Sequence, residues 1–170
     1  NKDINYIGIE KYDSVLIKGV EKASVEGLDN IHFLNVDAIK LRDYFKKGEV
    51  DKIFLNFSDP WPKTRHAKRR LTSEVFLSLY DKVFIGTPHI IQKTDNIGLF
   101  SYSIESLSKY GYTLERVSMN LKDEAKELKK QAFEKTEHSF KENNNQKYEN
   151  LFLKFHNDRG ALFELVESMN

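Results

Sequence analysis

Short apolar runs alternate along most of the chain with segments in which large apolar residues recur at three- and four-residue intervals. That is the pattern of strands alternating with helices in a mainly parallel α/β sheet. Strands are predicted at about 4–9, 31–36, 52–58 and 89–94. The first helix carries Val15, Leu16, Val20 and Ala23, with Asp13 or Ser14 as its cap, and Leu41, Tyr44 and Phe45 form a shorter stripe. Thr72 is placed to cap a helix bearing Val75, Phe76, Leu79 and Val83 that ends near Gly86. Ile97, Phe100, Ile104 and Leu107 make one face of another helix, which Gly111 terminates. Segments 112–121 and 148–156 read as two late strands forming an antiparallel hairpin. Between them, residues 122–147 are rich in Lys, Glu and Asn and read as a solvated helix followed by a flexible turn at Asn143 to Asn145. A main domain therefore spans 1–157, and 158–170 is a tail whose Leu162, Phe163, Leu165, Val166 and Met169 suit a short amphipathic helix of no assigned role.

Composition narrows the classes. At 170 residues the chain suits one domain with a sizeable core. Lys and Arg total 27 against 26 for Asp and Glu, so overall charge points to no polyanionic partner, whereas a local cluster at 63–70 does. Cysteine is absent, which excludes disulfides, thiolate metal sites and cysteine nucleophiles and fits a reducing, cytoplasmic setting. No apolar run is long enough to cross a bilayer, no signal-peptide pattern is seen, and a membrane partner is not expected. His32, His89 and His156 lack metal-ligand spacing, so no metal is expected either. The chain opens on Asn1 almost directly into a strand, and a missing preceding segment is expected. Monomer and homodimer stay equally open.

The chemistry concentrates after the run Ile53-Phe54-Leu55-Asn56-Phe57, where residues 58–70 read Ser-Asp-Pro-Trp-Pro-Lys-Thr-Arg-His-Ala-Lys-Arg-Arg. Pro60 and Pro62 fix φ and remove two N–H donors, so the chain leaves the strand in a stiff, non-helical turn that gives Asp59 a defined direction. Arg65 to Arg70 carry four permanent charges and one histidine, a density suited to phosphate oxygens. Trp61 is placed either to stack on a base or to brace the turn.

This segment, S-D-P-W-P-K-x-R-H-x-K-R-R, resembles the signature of the bacterial tRNA (guanine-N7-)-methyltransferases. Ile7-Gly8-Ile9-Glu10 is similar to the acidic end of that family's second strand, Asn35-Val36-Asp37-Ala38 to its adenine-side loop, and Lys93-Thr94-Asp95-Asn96 to its substrate-facing loop. The match runs from residue 1 to about 121. It implies a Rossmann-like class I methyltransferase sheet with helices on both faces, S-adenosylmethionine as cofactor, and methylation of guanosine 46 in tRNA. The resemblance also implies that Glu10, Asp37 and Asp59 line the methyl-donor site, with Asp59 the central catalytic acid. By the same resemblance Lys63 and Asp95 face the guanosine, and Arg65, His66, Ala67, Lys68, Arg69 and Arg70 contact RNA, His66 and Arg69 nearest the reaction. Thr136, Glu137, His138 and Ser139 occupy the place of a T-x-x-E substrate segment, but Ser139 replaces its Glu.

Two independent arguments from chemistry agree with those placements. Guanine N7 has a free lone pair and no proton, so methyl transfer from a sulfonium needs alignment rather than a base, and alignment can contribute about 7–11 kcal/mol at best. Positive charge moves onto the purine as the bond forms, and a fixed carboxylate such as Asp59 stabilises it. Glu10 falls where nucleotide-binding α/β sheets place an acid for the ribose hydroxyls.

One departure is large. The family's glycine-rich first loop, E-x-G-x-G-K-G, and the central strand before it have no counterpart here, so the strands on either side are expected to expose unpaired edges. A truncated copy is therefore expected, and a non-catalytic RNA-binding fragment is the alternative to an enzyme. An amino-group methyltransferase with a D/N-P-P-Y/W motif fits poorly, because Trp61 follows a single proline and the basic run has no place in that chemistry.

Overall fold

The computed structural model describes residues 2–121, 123, 124 and 151–156. β1 (Tyr6–Glu10) pairs in parallel with β2 (Ile31–Asn35), Tyr6 opposite Ile31 and Glu10 opposite Asn35, with α1 (Asp13–Val25) as the crossover. After a 3-10 turn at Ala38–Lys40 and the single turn of α2 (Leu41–Tyr44), β3 (Val50–Asn56) begins the second sheet. It pairs in parallel with β4 (Phe84–Thr94), reached through a basic 3-10 segment, Thr64–Arg69, and α3 (Glu74–Tyr80). α4 (Ile97–Tyr110) then leads to β5 (Thr113–Ser118), and β6 (Leu151–His156) inserts antiparallel between β4 and β5. The late antiparallel hairpin expected from the sequence is therefore present. Among the described residues β1 and β3 each have one strand neighbour, so the two sheets, β1-β2 and β3-β4-β6-β5, stay separate where a central strand was missed in the sequence.

The core lies over β3 and β4, where Ile53, Leu55 and Ile90 meet Phe76, Leu77, Phe100 and Leu107 of α3 and α4. Ile7, Ile9 and Leu34 of the β1-β2 sheet pack against this cluster but stay only partly buried. α1 departs further from expectation. Of its expected stripe only Ala23 is buried, while Val15 and Val20 are 52% and 44% exposed. Two strands give a helix too narrow a surface to cover its apolar face.

Other local expectations also moved. Tyr12 occupies the N-cap of α1, and the Asp13 carboxylate instead accepts a 2.9 Å bond from the Asn35 amide. Ser73, not Thr72, is the N-cap residue of α3; Thr72 is fully buried, its hydroxyl 2.8 Å from that of Ser103. α3 stops at Tyr80, and Gly86, expected to end a helix, lies inside β4 with φ +68°. Gly111 does terminate α4, its φ of +109° letting its own and the Tyr112 N–H return to the Leu107 carbonyl.

The β1-β2 pair depends on one aromatic wedge. A Cβ on Gly8 would lie 2.9 Å from Phe33 Cδ1, and one on Gly19 3.1 Å from Phe33 Cε1, so this ring lies close against both backbones. Gly8→Ala is expected to cost about 1–3 kcal/mol by overpacking, read as a lower urea midpoint, and Gly8→Ala combined with Phe33→Leu should recover part of the loss.

Candidate active site

The carboxyl ends of β1 and β3 lie side by side. Lys11, the residue after β1, holds its ammonium 3.9 Å from the carboxylate of Asp59, three residues beyond β3. Strand pairing extends this rim in both directions. The Val36 N–H donates to the Glu10 carbonyl at 3.2 Å, bringing Asp37 beside the end of β1. The Phe57 N–H donates to the Lys93 carbonyl at 2.8 Å, bringing Asp95 beside the end of β3. Glu10, Asp37, Asp59 and Asp95 thus each stand at the carboxyl end of a different parallel strand, on the edge where open α/β sheets bind ligands.

Local bonding orients these acids. Glu10 accepts from the Tyr12 N–H at 3.0 Å, and Asp37 caps the following 3-10 turn through the Ile39 N–H at 3.0 Å. The cap of α4 is Asn96, which accepts from the Leu99 N–H at 2.8 Å, so the exposed carboxylate of Asp95 is not used as a cap. Asn56 Oδ1 and Ser58 Oγ are buried with no hydrogen-bond partner among the described residues. Polar atoms left so at the mouth of a strand suit a polar ligand.

The turn that carries Asp59 is strained. Phe57 and Trp61 have φ of +50° and +43°, left-handed values costly for side chains of this size. Trp61 also precedes a proline, which favours extended backbone. Two cations flank its ring, the Arg69 guanidinium 4.9 Å and the Lys11 ammonium 5.6 Å from the centroid, and the His66 ring stands edge-on at 5.8 Å.

The basic segment divides in two. Lys63, Arg65, Lys68 and Arg69 are exposed, whereas His66, Ala67 and Arg70 are half-buried. Arg65 Nε donates to His66 Nε2 at 3.3 Å. Arg70 turns inward, donating to the carbonyls of Pro60 and Trp61 and resting its guanidinium 4.2 Å above the Tyr102 ring. The chain after the segment is anchored in the core: Ser73 Oγ donates to the Lys68 carbonyl at 3.0 Å, Ser106 Oγ to that of Thr72 at 2.7 Å, and the Tyr80 hydroxyl to that of Leu71 at 3.0 Å. Burial pushes the Tyr80 phenol far above its ordinary pKa, which keeps it a donor.

Thr136, Glu137, His138 and Ser139 lie outside the described residues, as do 125–147 and the tail 158–170. Lys11 and Tyr102 were missed in the sequence. Lys11 could have been suspected from its place directly after Glu10, but nothing local marks Tyr102, which lies on α4.

Residues 1–151 match a family model described as "Putative methyltransferase". The chain is 53% identical over 125 residues to the tRNA (guanine-N(7)-)-methyltransferase of Macrococcus caseolyticus, covering 74% of this chain and 60% of the relative. It is 52% identical over 121 residues to the protein of that name from Bacillus velezensis, covering 71% and 56%. The chain therefore spans 56–60% of the length of these curated relatives. Among solved structures it resembles a SAM dependent methyltransferase from Aquifex aeolicus, with a TM-score of 0.54 and 15% identity over 89% of this chain and 68% of that one. A SAM-dependent O-methyltransferase from Thermotoga maritima gives a TM-score of 0.57 and 9% identity over 100% of this chain and 53% of that one. At such identities the likeness is one of fold, and that fold is the Rossmann-like sheet expected from the sequence. With the family model covering nearly the whole chain and its acids aligned along one strand edge, the protein belongs to this methyltransferase family.

Proposed function

We propose that the protein transfers a methyl group from S-adenosylmethionine to N7 of a guanosine in tRNA, position 46 by the resemblance of its motifs. The observation that carries this reading is the placement of Asp59: half-exposed on a rigid turn, beside the end of β1, and followed directly by the exposed cations Lys63, Arg65, Lys68 and Arg69. The names of the two relatives support tRNA as substrate. A tRNA-modifying role places the protein in the cytoplasm, and no helix among the described residues is long and apolar enough to cross a membrane.

The residues at the rim fit the cofactor. Glu10 is placed for the ribose hydroxyls and Asp37 for the adenine side, while Asn56 Oδ1 and Ser58 Oγ offer buried polar atoms without partners among the described residues. S-adenosylmethionine, when bound, supplies a methyl group activated on a sulfonium. Asp59 orients the guanine by accepting from its N1–H and amine and offsets the positive charge that forms on the ring. Lys11 must release Asp59 for this, and a half-exposed pair at 3.9 Å is worth only about 0.2–1 kcal/mol. Lys63 and Asp95 border the guanosine, and the exposed cations hold phosphates without reading sequence.

Nucleoside mass spectrometry of tRNA incubated with the protein and S-adenosylmethionine should show N7-methylguanosine. The separation of the β1-β2 sheet from the rest favours a second reading, a non-catalytic RNA-binding module. That reading holds if tRNA binds and no methylation is found. Arg65→Gln and Lys68→Gln should each lower the slope of log affinity against log salt by about 0.7–0.9; an unchanged slope in both would remove the phosphate clamp from the proposal.

A further inference from the structure

We infer that Arg70 is not a phosphate contact but the positioning residue of the catalytic turn, clamping the backbone that aims Asp59; this rests on the function proposed above. In the sequence Arg70 closes a run of cations and is expected, like Arg69 beside it, to contact RNA. In the structure their guanidinium groups do different things. Arg69 is exposed and lies over the Trp61 ring. Arg70 Nε donates to the carbonyls of Pro60 and Trp61 at 3.1 and 3.3 Å, and Nη2 donates to that of Trp61 at 3.0 Å. Its flat face rests 4.2 Å from the centroid of Tyr102. Its donors are thus aimed at the turn, and one side is covered by an aromatic ring.

The object of the clamp is a backbone that does not hold itself. Trp61 adopts φ +43° immediately before Pro62, a combination opposed by side-chain sterics and by the following ring. Pro60 and Pro62 have no N–H groups with which to close the turn. The carbonyls of residues 60 and 61 are therefore the turn's own handles, and Arg70 takes both. Tyr102 fixes Arg70 in turn, because its helix α4 is pinned by Ser106 Oγ to the Thr72 carbonyl and by Ser103 to Thr72 Oγ1. Asp59 is thereby tied through Arg70 and Tyr102 to the core. Lysine cannot replace this arrangement, since an ammonium is a compact point charge without the planar fork that bonds two carbonyls while stacking on a ring.

Trp61 is the sole tryptophan of the chain, so its fluorescence reports the turn directly. In the full chain, Arg70→Lys and Tyr102→Leu are each expected to make Trp61 more accessible to acrylamide quenching. They should also lower the turnover number for tRNA methylation by about a hundredfold, as displacement of a catalytic group does. KM for tRNA and the salt slope should hold, and Tyr102→Phe, which keeps the ring, should behave as wild type. Tyr80→Phe removes a nearby bond to Leu71 but not the clamp; it should lower the unfolding midpoint without altering quenching or turnover. The inference is overturned if Arg70→Lys leaves Trp61 quenching unchanged, or if Arg70→Gln lowers the salt slope as Lys68→Gln does. Quenching requires neither RNA nor activity, so it decides the clamp even where the wild-type protein fails to methylate tRNA.

Discussion

Asp59→Ala is expected to lower the rate of tRNA methylation by about 10²–10³-fold while leaving tRNA affinity equal or slightly tighter. The two effects separate because the carboxylate acts on charge that exists only during transfer. Before transfer the guanine is neutral, and Asp59 sits among cations that hold the RNA, where its own charge opposes the phosphates. Removing it also frees Lys11, whose partner it is at 3.9 Å, and so adds one unpaired cation to the RNA-facing surface. Asp59→Asn divides the contribution further. The amide can still accept from the guanine N1–H but cannot offset the developing charge, so its rate should fall between those of the wild type and Asp59→Ala. Single-turnover methylation with saturating tRNA measures the chemical step, and filter binding measures affinity. Undiminished methylation by Asp59→Ala would remove Asp59 from the catalytic role.

Much of this site was legible because its parts are local. Glu10, Asp37, Asp59 and Asp95 each follow a strand-like run; parallel pairing sets Glu10 beside Asp37 and Asp59 beside Asp95, and the Lys11–Asp59 contact brings the two pairs together. The two prolines announce a rigid turn between them. The direction of side chains was less legible. Arg70 and Arg69 are chemically identical neighbours, and what turns one inward is the carbonyls of Pro60 and Trp61 together with Tyr102, 32 residues further on. Thr72 has the chemistry of a cap, but burial beside Ser103 gives its hydroxyl a different partner. α1 was read correctly as a helix and incorrectly in its burial, because periodicity describes a helix face and not the width of the sheet that receives it. Gly86 was taken as a helix terminator, although a positive-φ glycine serves equally well at an irregular strand start.

That uneven burial sets the second large effect. Leu107→Ala is expected to cost about 2–5 kcal/mol, against a total stability of about 5–15 kcal/mol for a domain. Leu107 is fully enclosed between α4 and the sheet, and its carbonyl receives the N–H groups of Gly111 and Tyr112, so the helix end has little freedom to collapse into the space left behind. Val20→Ala, on α1, removes apolar surface that is already 44% exposed and should change stability by no more than about 0.5 kcal/mol. With a slope of about 1–3 kcal/mol per molar urea, the first change should lower the midpoint by at least about 0.7 M and the second by much less. Trp61 fluorescence follows the β3 side of the molecule, and amide hydrogen exchange in β1 and β2 follows the other. If Val20→Ala proved as costly as Leu107→Ala, α1 would have to be packed against a surface wider than the two strands β1 and β2 offer.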